Sequence, residues 1–213
     1  MTTEEAVQPE RTRRRDFERN REAILVAANE CFVELGMKAP ISAIAKRAGV
    51  GAATVYRHFP SRDDLGKAVF DVRLAEYAAV IEEAQANEDP RAAFRDSIHA
   101  IVTLQSRDQS FRELVGGGQE IWASSTELPR FANALFSAFD RARREGVLRG
   151  DVENEDVFLL LLATEGIARE TSTLSDTALL RIVDIVLDGV CNERSPLDGE
   201  TLSWFQLIDA SKG

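Results

Sequence analysis

The sequence predicts an all-α protein, and three observations support this fold class. Apolar residues recur at helical spacing along most of the 213 residues. Serine, aspartate and proline starts and glycine stops divide this pattern into segments of helical length. No segment combines strand-like alternation with a hairpin turn, and the chain contains no internal repeat. We therefore expect an N-terminal three-helix domain over residues 16–62 and a larger helical domain over residues 63–213.

The N-terminal segment combines a charged arm with a long amphipathic helix. Residues 1–15 are polar, charged and without periodicity, so we expect a disordered basic arm. One apolar stripe then predicts a helix that ends at Gly36, because glycine takes a left-handed cap without strain. The stripe consists of Phe17, Ile24, Ala28, Cys31, Phe32 and Leu35.

The segment "ISAIAKRAGVGAATVYRHFP", Ile41 to Pro60, predicts a helix-turn-helix. Its first helix stops at Gly49, and a second helix restarts at once and ends before Pro60. Val50 and Val55 are expected in a small core. Two helices of about two turns each, joined by a glycine turn, form the helix-turn-helix motif.

Five longer helices are expected after this motif. Ser61 provides a hydroxyl cap for a helix that runs toward Ala86 and leaves the first domain. A second helix ends near Ser106, and a third lies beyond Pro129. The last two cover roughly residues 153–172 and 176–192. The turns between these helices include the sequences ANEDP, GGG and REGVLRGD.

Charge is distributed unevenly along the chain. The net charge is −10, yet residues 11–62 hold eleven Lys and Arg against five Asp and Glu, which leaves about −16 for the remainder. A basic segment of this kind binds phosphates, whereas the acidic remainder keeps the molecule in solution and away from DNA.

Several classes of protein are disfavoured by the composition. The chain has no run of about eighteen apolar residues and no apolar signal segment after Met1, so we expect a cytoplasmic protein without a membrane span. His58 and His99 lie in different predicted domains, and neither Cys31 nor Cys191 has metal-ligand spacing. We expect no enzyme activity, no metal, no cofactor, and two buried free thiols.

The segment "IAKRAGVGAATVYRHFPSRDDL", Ile44 to Leu65, resembles the signature of the TetR family of transcriptional repressors. The stretches "FVELGMKAPI", Phe32 to Ile41, and "ARREGVLRGD", Ala142 to Asp151, extend the likeness. The resemblance implies a dimer that reads a palindromic operator in double-stranded DNA, and a C-terminal domain that binds a small effector and dimerises. The choice of repressor over activator rests on this resemblance alone.

The resemblance also implies which residues touch DNA. The recognition helix would be Ala52 to Phe59, with Phe59 in the core and Arg57 as the main specificity residue, since arginine can grip guanine through two hydrogen bonds. The N-terminal arginines would enter a neighbouring minor groove or remain a solvated tail. The expected DNA-binding residues are Ser42, Lys46, Ala52, Ala53, Thr54, Tyr56, Arg57, His58 and Arg62.

One position departs from the family pattern. Many members have threonine before the second helix, where this chain has Pro40 and Ile41, so no hydroxyl is available there for a phosphate. Ser42 or Lys46 is the expected replacement. The sequence leaves open which of the neighbouring basic side chains, including Arg47, face DNA.

The C-terminal domain offers candidates for an apolar effector pocket, although a stripe of Phe and Leu at helical spacing is equally typical of core. His99 could be a core histidine or a ligand contact, and Glu165 could pair with Arg169. The candidate effector-binding residues are Phe94, Ile98, His99, Thr103, Trp122, Phe136, Phe139, Glu165 and Arg169.

The last two long helices are apolar over more than one stripe, which indicates a homodimer interface through roughly residues 153–192. The alternative function is a DNA-binding co-regulator or architectural protein without an effector.

Overall fold

The computed structural model describes residues 7–107, 124–170 and 176–191. Those residues contain eight helices and no strand, and the all-α prediction is confirmed. The helices are α1 (Val7–Leu35), α2 (Ile41–Arg47), α3 (Ala52–His58), α4 (Arg62–Ala84), α5 (Pro90–Arg107), α6 (Leu128–Arg144), α7 (Asn154–Glu170) and α8 (Asp176–Cys191).

The chain forms two compact units, Met1–Phe70 and Asp71–Gly213. The division falls inside α4, later in the chain than the predicted domain limit at residues 62 and 63. Leu65, Val69 and Phe70 explain its position, because these three residues of α4 are buried and belong to the first unit. Helix α4 therefore contributes residues to both units.

The turns that bound the helix-turn-helix follow the sequence closely. Gly49 has a φ of +68°, and the amide of Val50 donates to the carbonyl of Ala45 at 3.0 Å, which closes the end of α2 as a Schellman motif. At the start of α4 the amide of Asp64 donates to Ser61 Oγ at 3.0 Å, and the Ser61 amide donates back to the Asp64 carboxylate at 3.0 Å. This reciprocal capping box confirms the predicted helix start at Ser61.

The N-terminal arm differs from the prediction. Helix α1 begins at Val7, so residues 7–15 are helical instead of disordered. Two ion pairs one turn apart accompany this part of the helix, as Arg14 contacts Glu18 at 3.1 Å and Arg19 contacts Asp16 at 3.0 Å. A polar segment without an apolar stripe can therefore continue a helix that is anchored further along.

The apolar stripe of α1 is buried only over its central part. Ile24, Ala28 and Phe32 are fully buried, whereas Phe17 and Leu35, at its two ends, are 45% and 55% exposed.

Aromatic packing organises the second unit. Phe94 of α5 and Phe139 of α6 meet edge to face, with ring centroids 5.9 Å apart, and both are fully buried. Arg141 of α6 donates to the carbonyls of Gln85 at 2.7 Å and Asn87 at 2.8 Å, which holds the turn after α4. Helix α6 therefore contributes to the core and also holds the turn between α4 and α5.

The two cysteines are free thiols. Cys31 is buried, as predicted, and Cys191 is only half-buried at the end of α8. Burial is the main cause that raises the pKa of both thiols.

Candidate nucleic-acid interface

Helices α2 and α3 are held together by a small apolar core. Ile44, Ala45 and Val55 are buried, and Phe59, directly after α3, is 4% exposed, which confirms its predicted place in the core. The guanidinium of Arg21 on α1 lies over the Phe59 ring, 5.4 Å from its centroid. The recognition helix is therefore fixed along one side and presents its other side outward.

The outward side of this motif carries most of the predicted DNA-binding residues. Ser42 and Lys46 are exposed on α2, and Thr54 of α3 is half-buried. Tyr56 is 52% exposed. The other exposed positions of α3 are Ala52, Ala53 and Arg57.

Lys46 and Arg57 are available for a ligand. Within the described residues, no hydrogen bond or ion pair engages either side chain, although both are exposed. Two alanines at the start of α3 leave the backbone there open to close approach. The face therefore combines two cations, a tyrosine and a flat, small-residue surface.

His58 faces inward, contrary to the expectation that it projects from the recognition helix. Its ring packs against that of Phe17 in a tilted arrangement, with centroids 4.0 Å apart, and both ring nitrogens are buried without a hydrogen-bond partner among the residues described. Burial, and then the neighbouring charges of Arg57 and Arg21, lower the pKa of His58. In the free protein this residue is a neutral ring that packs α3 against α1.

Arg62 is also engaged within the protein. Its Nη1 donates to the carbonyl oxygens of Met37 and Ala39, at 2.9 Å and 2.8 Å. These two carbonyls lie in the turn between α1 and α2. The guanidinium that was expected on a phosphate therefore holds the turn that leads into α2.

Arg47 is bound by two carboxylates of α1. Its guanidinium contacts Glu34 at 2.6 Å and Glu30 at 3.8 Å. The hydrogen bond from Arg47 lowers the pKa of Glu34. Among the basic residues of α2, Lys46 alone faces outward without such a partner within the part of the chain that the structure describes.

Sequence reasoning missed the structural roles of Arg21, Arg47 and Phe17. A signal existed for Arg47, because Glu30 and Glu34 stand one turn apart on α1 and form an acidic pair. No such signal identified the partners of Phe17 and Arg21, which are distant in sequence.

The N-terminal arginines lie on a helix. Arg13, Arg14 and Arg15 are exposed along the first turns of α1, and Arg14 is paired with Glu18. In this structure they therefore do not form the extended arm that enters a minor groove. The arginines instead form a positive surface on α1.

The predicted effector residues differ in burial where the structure describes them. Phe94, Ile98 and Phe139 are fully buried, Thr103 and Phe136 are half-buried, and Trp122 lies outside the described residues. Glu165 and Arg169 belong to α7, and their side chains also lie outside the described part.

His99 is bound to a carboxylate. Its Nε2 lies 2.7 Å from Asp184 of α8, and Arg95, one turn earlier on α5, contacts the same oxygen of Asp184 at 2.6 Å. This cluster joins α5 to α8. In this structure His99 is therefore a hydrogen-bonded histidine at the contact between α5 and α8.

The described residues contain no cluster of three or more His, Cys, Asp or Glu side chains that could hold a metal ion. None of the helices described is long and apolar enough to cross a membrane.

The fold and this surface define the protein as a DNA-binding protein of the helix-turn-helix class. The family model for bacterial regulatory proteins of the tetR family matches residues 24–69. The uncharacterized HTH-type transcriptional regulator YhgD of Bacillus subtilis is 31% identical over 197 residues, which cover 89% of this chain and 94% of that protein. The chain therefore belongs to the TetR family of transcriptional regulators, which is a family of DNA-binding regulators and not of enzymes.

Two further comparisons agree with this assignment. The HTH-type transcriptional regulator SAR0097 of Staphylococcus aureus is 34% identical over 110 residues, which span 49% of this chain and only 56% of that relative. The TetR transcription regulatory protein from Mycobacterium vanbaalenii has a crystal structure that matches with a TM-score of 0.63 at 29% identity, covering 84% of this chain and 99% of that one.

Proposed function

We propose that this protein is a cytoplasmic homodimeric repressor that binds a palindromic operator and is released from it by a small, largely apolar effector. The observation that carries the DNA-binding part is the exposed face of α3, where Arg57 and Tyr56 project from a helix that is fixed from behind. Two such helices, related by a two-fold axis, would read two half-sites about one helical turn apart.

The residues of this face have distinct expected roles. Arg57 is the candidate for a bidentate contact to guanine, which is worth about 1–3 kcal/mol of discrimination. Tyr56, Lys46 and Ser42 would contact phosphates, with Lys46 supplying the charge. Ala52 and Ala53 would allow close approach or meet thymine methyl groups, and Thr54 would reach a phosphate or a base edge.

His58 and Arg62 support this face in the free protein. His58 packs the end of α3 against Phe17, and Arg62 holds the turn before α2. We infer that both position the interface, and that any contact they make with DNA comes in addition to this role.

Membership of the family supports the proposed effector binding and dimerisation. Helix α4 contains residues of both units, which makes it the element through which ligand binding would change the spacing of the recognition helices. A ligand releases DNA only if it binds the DNA-free conformation more tightly than the DNA-bound one.

A DNA-binding co-regulator without an effector is the second candidate. It is favoured by the full burial of Phe94, Ile98 and Phe139 and by the contact between His99 and Asp184. These residues already satisfy one another and need no ligand to do so.

The decisive experiment is selection of randomised double-stranded DNA by the purified protein at two salt concentrations, followed by sequencing. Enrichment of a near-palindrome that weakens in higher salt would support the proposal, because phosphate contacts release counterions. Arg57→Ala should lose the enrichment. Arg144→Ala, which removes the same charge from an exposed position of the second unit, is the matched control and should keep it.

Failure of the wild-type protein to enrich any sequence would contradict the proposed function. The operator so obtained then separates the two candidates. Apolar compounds that release the protein from it, measured by fluorescence anisotropy, would support effector control. If no compound of the library releases the DNA or raises the midpoint of thermal unfolding of the protein, the result would favour the co-regulator.

A further inference from the structure

Arg21 of α1 is an exposed basic side chain that an aromatic ring holds in place. The Cζ atom of its guanidinium lies over the ring of Phe59, 5.4 Å from the centroid. Within the described residues, no hydrogen bond or ion pair engages Arg21. A guanidinium has five N–H donors, and a contact with an aromatic ring leaves donors available for a ligand.

Two neighbouring arginines of α1 show the more usual arrangement. Arg14 contacts Glu18 at 3.1 Å, and Arg19 contacts Asp16 at 3.0 Å, so each is paired with a carboxylate of its own helix. A carboxylate neutralises the guanidinium and accepts its hydrogen bonds, whereas an aromatic ring does neither. Arg21 therefore keeps its charge and its donors while its position is fixed.

Arg21 stands beside the last turn of the recognition helix. Phe17, one turn earlier on the same side of α1, packs against His58 with ring centroids 4.0 Å apart. Consecutive turns of α1 therefore contact consecutive residues, His58 and Phe59, at the end of α3. Burial, then the charge of Arg57 and then that of Arg21 lower the pKa of His58, so the two cations lie near one ring.

The end of α3 is the part of the recognition helix that comes close to the DNA backbone when its start lies in the major groove. Helix α3 has seven residues and is therefore about 10 Å long, which is close to the width of the major groove of about 12 Å. When its first turn faces base edges, its last turn lies near the phosphates that border the groove. At this border Arg21 extends the positive surface from α3 onto α1.

We propose that Arg21 is a phosphate-binding residue of the interface, held by Phe59 and donating to a DNA phosphate beside the end of the recognition helix. The fork of an arginine matches a phosphate through two hydrogen bonds, and the aromatic contact orients this fork before DNA binds. Helix α1 then contributes to the interface together with α2 and α3. This inference rests on the proposed operator binding and adds one contact to it.

The first test removes the charge of Arg21 and keeps an apolar side chain against Phe59. In the full chain, Arg21→Met should weaken binding to the selected operator about tenfold or more. The slope of log affinity against log salt concentration should become shallower by about 0.9 per subunit. Fluorescence anisotropy at several salt concentrations measures both quantities. The selected sequence should stay the same, because a phosphate contact carries no base information.

Arg19→Met is the matched control. Arg19 lies on the same helix two residues before Arg21, which places it about 200° around the helix axis, and it is paired with Asp16. Its replacement changes the net charge by the same amount and should leave the salt slope unchanged. An equal change of slope in the two variants would attribute the effect to total charge and would overturn the contact.

A second variant separates binding from the packing of Phe59. Arg21→Lys keeps the positive charge, so it should retain most of the salt slope that Arg21→Met loses. Thermal unfolding followed by circular dichroism should give similar midpoints for both variants and the wild type. If Arg21→Lys lost as much slope as Arg21→Met, Arg21 would act only by holding Phe59, and the proposed contact would be wrong.

The phosphate itself can be identified with operators in which one backbone phosphate at a time is replaced by an uncharged methylphosphonate. The wild-type protein should lose affinity at a small set of positions. Arg21→Met should be insensitive at one of these positions in each half-site, because the group that binds that phosphate is already missing. A variant that is as sensitive as the wild type at every position would overturn the assignment.

The outcomes separate this contact from the proposed function. Selection of an operator by the wild type, with no change of affinity in Arg21→Met, would overturn the contact and leave operator recognition intact. A wild-type protein that selects no sequence would overturn both. Arg57→Ala tests recognition separately, because it should lose the sequence preference that Arg21→Met keeps.

Discussion

Each of the two units of this protein uses one arginine to hold a turn between two helices. In the first unit Arg62 donates to the carbonyls of Met37 and Ala39, and in the second Arg141 donates to those of Gln85 and Asn87. Each arginine satisfies the backbone of a turn between two helices. In this respect both units follow the same rule, that inward polar groups must find partners.

Helix α6 of the second unit and the helix-turn-helix of the first differ in whether their exposed basic side chains are paired. On α6 of the second unit, Arg130 is bound to Glu82 at 2.7 Å and Arg143 to Glu153 at 3.0 Å. On the helix-turn-helix of the first unit, Lys46 and Arg57 are exposed without such a partner in the described part of the chain. A basic side chain is therefore a candidate nucleic-acid contact only where no carboxylate or carbonyl group of the protein already binds it.

Removal of a core aromatic should disturb the first unit most. Phe32→Ala deletes a fully buried ring, and we expect the free energy of unfolding to fall by about 3–5 kcal/mol. Chemical denaturation followed by circular dichroism measures this change. Leu35→Ala, on the same helix but 55% exposed, is the control, and an equal loss in that variant would contradict the burial pattern.

The two turn-holding arginines should be next in effect. Arg62→Ala and Arg141→Ala each leave carbonyls without their donor, and each should cost about 1–3 kcal/mol of unfolding free energy. Arg57→Ala should leave the unfolding midpoint unchanged and lose selective DNA binding. If Arg62→Ala were fully stable yet unable to bind DNA, Arg62 would be a phosphate ligand rather than a turn holder.

Loss of the cap on α4 should have a smaller effect. Ser61→Ala removes the hydroxyl that accepts from the amide of Asp64 and should lower the unfolding free energy by about 1 kcal/mol. Thermal unfolding provides the measurement. Ser42→Ala, at an exposed position of α2, should change stability by less than about 0.5 kcal/mol, and the reverse order of the two variants would disprove the capping role.

The smallest predicted effect is a pH dependence confined to the first unit. Burial lowers the pKa of His58 in the folded state, so the unfolded chain takes up a proton first as the pH falls below about 6.5. The stability of this unit should therefore be complete at neutral pH and decrease on acidification, until the folded-state pKa is reached.

His58→Phe should remove this dependence while it keeps an aromatic contact with Phe17. Unfolding midpoints of the wild type and the variant between about pH 5 and 8 provide the comparison. Parallel curves for the two proteins would show that His58 does not cause the acid sensitivity.

Much of the fold could be predicted because its signals are local. Gly49 takes a left-handed turn, Ser61 caps α4, and the apolar periodicity of Ile44, Val55 and Phe59 defines the small core. Each of these features depends on residues a few positions apart, so the sequence pattern contains the whole interaction. The family resemblance through Ile44 to Leu65 has the same origin.

The candidate site was predicted only in part. Arg57 and Tyr56 are exposed as expected, because a short helix with one apolar side must present the other. His58 and Arg62 could not be assigned, since their partners Phe17, Met37 and Ala39 come from α1 and the turn that follows it. The helical state of residues 7–15 was likewise not predicted, and two ion pairs accompany it.

The sequence by itself determined the helices, their caps, the helix-turn-helix and the family, because each is encoded in nearby residues. Only the tertiary structure decided which cations face outward, which hold turns, and how His99 is bound. The reason is that a guanidinium or imidazole is used by whichever acceptor the fold brings within about 3 Å, and that acceptor is usually distant in sequence.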